Sequence, residues 1–373
     1  MILGAKELGE NEAKVLKPYA VLSLESRGRR YPEPQDTQRL PFQKDRDRII
    51  HSRAFRRLKG KTQVFVAHYG DHYRTRLSHS LEVAQISRDL ARMLGLNEDL
   101  AEAVALAHDL GHTPFGHAGE HALDECLKPY GLSFEHNEQS RRIVEELEEV
   151  YPGWKGLNLS REVIEGLMKH QTSWDHPVSA QLKAHEKAWV SPSLEAQLVN
   201  FGDEIAYQNH DVDDGLRSGL FSEKDLMNIR LWQEATKHVA DTYGKISDEK
   251  IRWARTVSKM ASLMIVDIAE ESSKRLSQYE VKNLADVYER GRQEIKLVNF
   301  SPEMELANKE LKDFLTTRLY FHPQVLALSG KGQDLIRSLF SEGIAAGQSP
   351  RELADFIAGM TDDFAEKKGV LEF

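Results

Sequence analysis

The sequence predicts an all-α fold, a helical bundle extended by an additional C-terminal helical region. Three observations carry that expectation. Apolar residues recur at three- and four-residue spacing along most of the chain. The stretches that carry them begin at Ser or Asn and stop at Gly, as helices do. No segment shows the regular apolar/polar alternation of a half-buried strand. At 373 residues, 40% hydrophobic and 29% charged, the chain is an ordinary globular protein able to bury a sizeable core.

The elements follow in order. Residues 1–45 read as an irregular segment draped over the body, with Ser26, Arg27, Gly28, Arg29 and Arg30 followed by Pro32 and Pro34. A helix is predicted from Arg46 to Leu58, then a Gly-containing connection through Gln63 to Asp71. The next helix begins near Ser78, with Leu77, Leu81, Ala84, Ala91 and Leu94 on its buried face and Gly95 at its end. Asn97 caps the helix after it, where Glu98 and Asp99 suit the first turn and the dipeptide His108-Asp109 falls at the last. Further helices are expected over 118–130, 137–150, 160–169 and 193–210. From Leu216 onward the chain is again helical, with breaks at Phe300-Ser301-Pro302, His322-Pro323 and Gln348-Ser349-Pro350. These elements suggest a core over 46–216 and an additional helical region over 217–373.

Several classes are disfavoured. No apolar run approaches the roughly 18 residues of a membrane span, and Met1 to Lys17 lacks the apolar core of a secretory signal, so a cytoplasmic address is expected. The single cysteine, Cys126, has no partner for an internal disulfide and reads as a small helix-face thiol without a role. A net charge of -9 argues against a surface-wide nucleic-acid platform. Locally the balance reverses: Arg46, Arg48, Arg53, Arg56, Arg57, Lys59 and Lys61 face only Asp45 and Asp47, and Arg74 and Arg76 follow. Either a small polyanionic ligand or a solvated helix face accounts for that run.

Eight of the fifteen histidines fall between His68 and His136. Imidazole binds borderline divalent metals and carboxylate adds a harder, charge-neutralising ligand, so mixed His and Asp suit an ion that polarises phosphate and activates water. Neighbours such as His108 and Asp109 point about 100 degrees apart on a helix, and both reach one ion only where the helix is ending. A lone His-Asp pair is weak evidence, since His210-Asp211 is another. Context separates them: the first sits in Ala107-His108-Asp109-Leu110-Gly111-His112-Thr113-Pro114-Phe115-Gly116-His117-Ala118-Gly119-Glu120, downstream of Arg74-Thr75-Arg76-Leu77-Ser78-His79-Ser80.

Together with the block from Asp45 to Leu58, the run Lys61-Thr62-Gln63-Val64-Phe65 and the stretch Asp203 to Gly215, these phrases resemble the HD superfamily and within it the dNTP triphosphohydrolase (dGTPase-like) branch. The resemblance spans about residues 26–216. It implies an HD-domain helical bundle that attacks the α-phosphorus of a deoxynucleoside triphosphate with water, releasing deoxynucleoside and tripolyphosphate. It implies a divalent cofactor, Mn2+ or Mg2+ before other transition metals, on His79, His108, Asp109 and Asp203. It places His117 as the proton-exchanging histidine with Glu120 beside it, and His112 and His136 facing phosphate. For substrate it implies Arg76 on the α-phosphate, Gln63 on the sugar 3′-hydroxyl, and Tyr207 and Asp211 toward the sugar, which assigns the second His-Asp pair to substrate. One departure stands out: Glu204 occupies the place where some members carry a phosphate-binding lysine. A homo-oligomer and a dNTP effector are further implications, with no membrane partner and no nucleic acid expected. The competing readings are an HD phosphohydrolase for other nucleotides and a nucleic-acid-binding regulator with a vestigial site.

Overall fold

Residues 2–63, 74–168 and 191–370 are described by a computed structural model. Among them are seventeen α-helices and no extended strand; the β-type pairings are two isolated bridges, Arg29 with Ser160 and Thr62 with Thr75. The first half holds α1 (Ala5–Val15), α2 (Pro41–Ile50), α3 (Arg53–Arg57), α4 (Arg76–Leu94), α5 (Glu98–Ala107), α6 (Gly116–Leu127), α7 (His136–Arg142) and α8 (Arg161–Met168). Next come α9 (Leu194–Ser218), α10 (Glu223–Leu226), α11 (Arg230–Tyr243), α12 (Glu249–Gln278) and α13 (Leu284–Arg292). The chain finishes with α14 (Pro302–Leu315), α15 (Pro323–Ala345), α16 (Pro350–Ala358) and α17 (Asp362–Val370).

Local chemistry explains most boundaries. Gly95 closes α4 in the left-handed region at φ 67°, and the Asn97 side chain accepts from Leu100 N at 3.1 Å to open α5. All three predicted breaks in the last third are helix starts, each with Pro in the first turn, where its missing N–H costs nothing.

Other expectations need correction. The single helix over 46–58 is two, because the Ser52 hydroxyl accepts from Phe55 N at 3.1 Å and restarts the chain as α3. The N-terminal segment is not irregular throughout, since α1 occupies Ala5–Val15. Leu81 is 52% exposed; the buried stripe of α4 passes instead through Val83, Ala84, Ser87, Leu90 and Ala91. The helix over 137–150 changes to a π turn at Ile143–Leu147 and stops there. The helix expected over 193–210 continues to Ser218, where Gly219 ends it. Lys169 and the connection from Val64 to Asp71 lie outside the described residues.

At the centre α4 packs against α5 and α9, and α5 also meets α2 and α8. The nearly unbroken apolar surface of α5, Leu100, Ala101, Ala103 to Ala107, fits a helix enclosed on several sides. A second apolar cluster joins Ala122, Leu123 and Leu127 of α6 to Ile336, Leu339, Leu353 and Ile357 of the last helices. The turn after α5 is gripped from outside: Gly111 N donates to Ser140 Oγ at 2.8 Å, and that hydroxyl donates to His108 O at 2.7 Å. A Cβ at Gly111 would lie 2.2 Å from His136 O, against backbone that has no room to move.

Gly111→Ala is therefore expected to destabilise the fold by about 1–3 kcal/mol, the usual cost of overpacking, read as a lower denaturant midpoint at unchanged slope. An unaltered midpoint would show that α7 does not press on this turn.

Candidate active site

Four elements converge on the end of α5. Thr75 precedes α4, and its N–H donates to Ser78 Oγ at 3.1 Å, which places Arg76 and His79 one turn apart on the same inner face. His108 is the residue at which α5 ends, followed at once by Asp109. Asp203 enters from α9. His79, His108 and Asp203 bring one ligand atom each to within 4.8 Å of one another, the geometry of a metal-ion site. His79 Nε2 lies 2.9 Å and His108 Nε2 3.8 Å from Asp203 Oδ1.

The donor set fits a divalent ion. His108 Nδ1 lies 2.6 Å from Ala105 O, a carbonyl that can only accept, so Nδ1 carries the hydrogen and Nε2 offers its lone pair to the cluster. Two imidazoles and a carboxylate suit a borderline cation. Asp109, the fourth expected ligand, stands beside this trio, its Oδ1 3.5 Å from His108 Nε2. Its carboxylate is also engaged by Arg76 Nη1 at 3.0 Å on both oxygens and by His112 Nε2 at 3.1 Å. Burial opposes the charge on Asp109, but Arg76, His108 and His112 outweigh it and hold the group well below the ordinary carboxylate range.

On the far side of Asp109 lies a second group. His112, His117, Glu120 and His136 also bring ligand-type atoms within 4.8 Å of one another. Glu120 Oε2 is 3.3 Å from His117 Nδ1, and its Oε1 accepts from His136 N at 2.9 Å and lies 3.0 Å from His136 Nδ1. His112 stacks on His136 with ring centroids 3.9 Å apart. Burial raises the Glu120 carboxyl, yet His136 and hydrogen bonds from His117 and His136 prevail and keep it ionised. Burial, with Arg76 and His136 nearby, drives His112 well below the usual histidine range against the pull of Asp109, so it is neutral. His117 differs from its neighbours in exposure: its side chain is 64% exposed, that of His136 7%.

The remaining expected residues are placed as follows. Gln63 is half-buried; a Cβ built at Gly116 would lie 3.5 Å from its backbone carbonyl oxygen and 3.3 Å from Arg76 Nη2. Tyr207 and Asp211 continue along the face of α9 that carries Asp203. Burial and Asp214 push the Asp211 carboxyl well above its ordinary range, and Tyr320 donates its hydroxyl to it. Tyr320 is a residue that sequence reasoning missed, since a tyrosine 109 residues away carries no local signal. Glu82, hydrogen-bonded to His210, is another. Glu204 accepts from Asn308 Nδ2 at 3.0 Å. The basic stretch does not form one patch: Arg46 pairs with Asp99 and Glu102, Arg48 with Glu33, and Lys61 is buried, while Arg53, Arg56, Arg57 and Lys59 face solvent. Val64 and Phe65 lie outside the described residues.

A family model described as HD domain matches residues 76–208, and one described as phosphohydrolase-associated domain matches residues 298–349. The deoxyguanosinetriphosphate triphosphohydrolase-like protein of Geobacter sulfurreducens is 46% identical over 365 residues, covering 94% of this chain and 93% of that one. Its namesake in Azoarcus sp. is 46% identical over 370 residues, 96% of each chain. That of Leptospira interrogans is 41% identical over 381 residues, 98% of each. No helix among the described residues is long and apolar enough to cross a membrane.

Removing a ligand should show directly in metal content. After stripping and reloading, His108→Ala is expected to bind divalent ion at least about 10–100-fold more weakly than wild type, whereas Asp211→Ala should bind it normally. Equal metal in the His108 variant and wild type by elemental analysis would remove the trio as the ion site.

Proposed function

The chain belongs to the deoxyguanosinetriphosphate triphosphohydrolase-like family of HD-domain proteins, and on that premise we propose that it hydrolyses deoxynucleoside triphosphates to deoxynucleoside and inorganic tripolyphosphate. The observation that carries this reading is the juxtaposition about Asp109: a buried His79, His108 and Asp203 trio on one side, a half-open His117 and Glu120 pair on the other, and Arg76 between. His79, His108, Asp109 and Asp203 would hold the divalent ion, Mn2+ or Mg2+. Such an ion, when bound, supplies Lewis-acid polarisation of a phosphoryl oxygen and a lowered pKa for water.

The chain's own residues do the rest. Arg76, fixed at the first turn of α4, presents a guanidinium to the α-phosphoryl oxygens and offsets charge that accumulates there. Water oxygen joins the α-phosphorus as the bond to the sugar 5′-oxygen breaks, and that leaving oxygen needs a proton. His117 is suited to deliver it: Glu120 holds its Nδ1 at 3.3 Å and leaves Nε2 to face the reacting groups. Neutral His112 and the His136 ring stacked on it line the phosphate path. Gln63, Tyr207 and Asp211 take the sugar, where a neutral Asp211 carboxyl next to the Tyr320 hydroxyl offers both donor and acceptor to a sugar hydroxyl. A cytoplasmic homo-oligomer, with contacts from the C-terminal helices and a dNTP effector, completes the proposal.

Two measurements test it. His117→Ala should retain metal and nucleotide binding while turnover falls by about 10²-fold or more, the scale of a lost general acid or base; wild-type turnover in that variant would make His117 a bystander. In water enriched in oxygen-18, label should enter the tripolyphosphate and be absent from the deoxynucleoside. Pyrophosphate with a monophosphate, or orthophosphate with a diphosphate, would mean that a different bond is cut.

A further inference from the structure

Helix α6 carries His117 and Glu120, and two of the residues that aim it, Thr62 and Asp362, lie outside the matched family segments. The turn before α6 is unusual. Phe115 adopts φ 61°, ψ 24°, a left-handed conformation that bulky side chains seldom hold, and Gly116 follows at φ 58°. Two contacts hold Phe115 there. Its ring is buried in the second apolar cluster beside Gly332 of α15, where a Cβ would stand 2.7 Å from Phe115 Cγ. Its N–H donates at 3.1 Å to Asp362 Oδ1, at the first residue of α17.

The other oxygen of that carboxylate is committed as well. Asp362 Oδ2 accepts from Thr62 N at 2.9 Å and from the Thr62 hydroxyl. Asp362 is 2% exposed. It is not spent on capping its own helix, since Thr361 Oγ1 accepts from Phe364 N at 3.3 Å. Next to Thr62, the buried Lys61 donates from Nζ to His112 O and, at 2.8 Å, to Ala358 O, while Lys61 O accepts from Arg76 N at 3.2 Å. Three segments of the candidate site, 61–63, 75–76 and 112–116, are thus tied to one C-terminal loop.

We infer that Asp362 is a positioning residue, its buried carboxylate clamping the Thr62 and Phe115 backbones together and so setting the direction in which α6 presents His117 and Glu120 to Arg76 and Asp109. Its catalytic consequence rests on the dNTP hydrolysis proposed above. The clamp needs two acceptor oxygens facing three donors. An asparagine has one, so either the Phe115 amide or the Thr62 pair would meet an NH2 group.

The test uses full-length metal-loaded protein with dGTP and the other dNTPs as substrates. For Asp362→Asn, kcat is expected to fall about 10²-fold with KM within about threefold of wild type, because displacement of His117 spoils the transition state more than ground-state binding. Metal content should match wild type. In nucleotide-free protein, amide hydrogen exchange should quicken over 112–120 and stay as in wild type over α4 and α9. Gly332→Ala pushes the Phe115 ring from the opposite side without touching the carboxylate, and should alter kcat and exchange in the same sense. Wild-type kcat in Asp362→Asn, or unchanged exchange over 112–120, overturns the clamp, as does exchange that quickens equally throughout the chain. A wild-type protein that hydrolyses no dNTP refutes the proposed reaction, and the exchange measurements then decide on the clamp by themselves.

Discussion

Keeping Asp109 ionised inside the protein is the constraint from which the rest of the site can be reconstructed. A carboxylate that is 2% exposed loses its hydration, and fixed positive charge has to replace it. Arg76 supplies that charge through contacts of 3.0 Å to both oxygens. Arg76 is itself 2% exposed, so each ion requires the other, and losing one partner of such a pair typically costs about 3–5 kcal/mol. The demand propagates outward. Arg76 must start α4 where it does, which the Thr62 to Thr75 bridge and the Lys61 carbonyl secure. Asp109 must follow directly on the last turn of α5, which the Ser140 hydroxyl holds through His108 O and Gly111 N.

The same carboxylate joins two groups of histidines that would otherwise be separate. Its Oδ1 lies 3.5 Å from His108 Nε2 and 3.1 Å from His112 Nε2, so displacement on one side is felt on the other. From His112 the contacts run through the stacked ring of His136 to Glu120 and then to His117. Along that path the groups pass from fully buried to half exposed.

Much of this was readable from local pattern. Spacing of three or four residues puts Arg76 with His79, His117 with Glu120, and Asp203 with Tyr207 and Asp211 on shared faces, and helices deliver such pairs faithfully. Asn97 and Gly95 announced their helix ends because capping is a short-range hydrogen-bonding matter. Ser52 gave the same kind of signal, yet it was lost inside a run of charges that suggested one long helix. Partners distant in the chain left no trace: Tyr320 and Asp362 are ordinary residues at helix boundaries until the fold sets them against Asp211 and Thr62. The basic stretch is ambiguous for a related reason. Charge density along a chain says nothing about direction, and Arg46, Arg48, Lys61 and Arg56 point to four different surroundings.

The gradient in exposure also bears on how one site can meet two opposed needs. A cation binds its ligands best where water does not compete, and His79 and His108, the proposed ligands, are each 2% exposed. A group that gives up a proton in each turnover must regain one from solvent, which a sealed imidazole does slowly. In the proposed reaction His117, at the exposed end of the path, would meet that second need, and Glu120 hydrogen-bonds its ring despite the exposure. Since an exposed side chain is not positioned by packing around it, its placement has to come from the backbone beneath. That backbone is the left-handed turn at Phe115, and it is held by the last helices of the chain. The C-terminal third, which carries none of the histidine pattern, is thereby a structural part of the site.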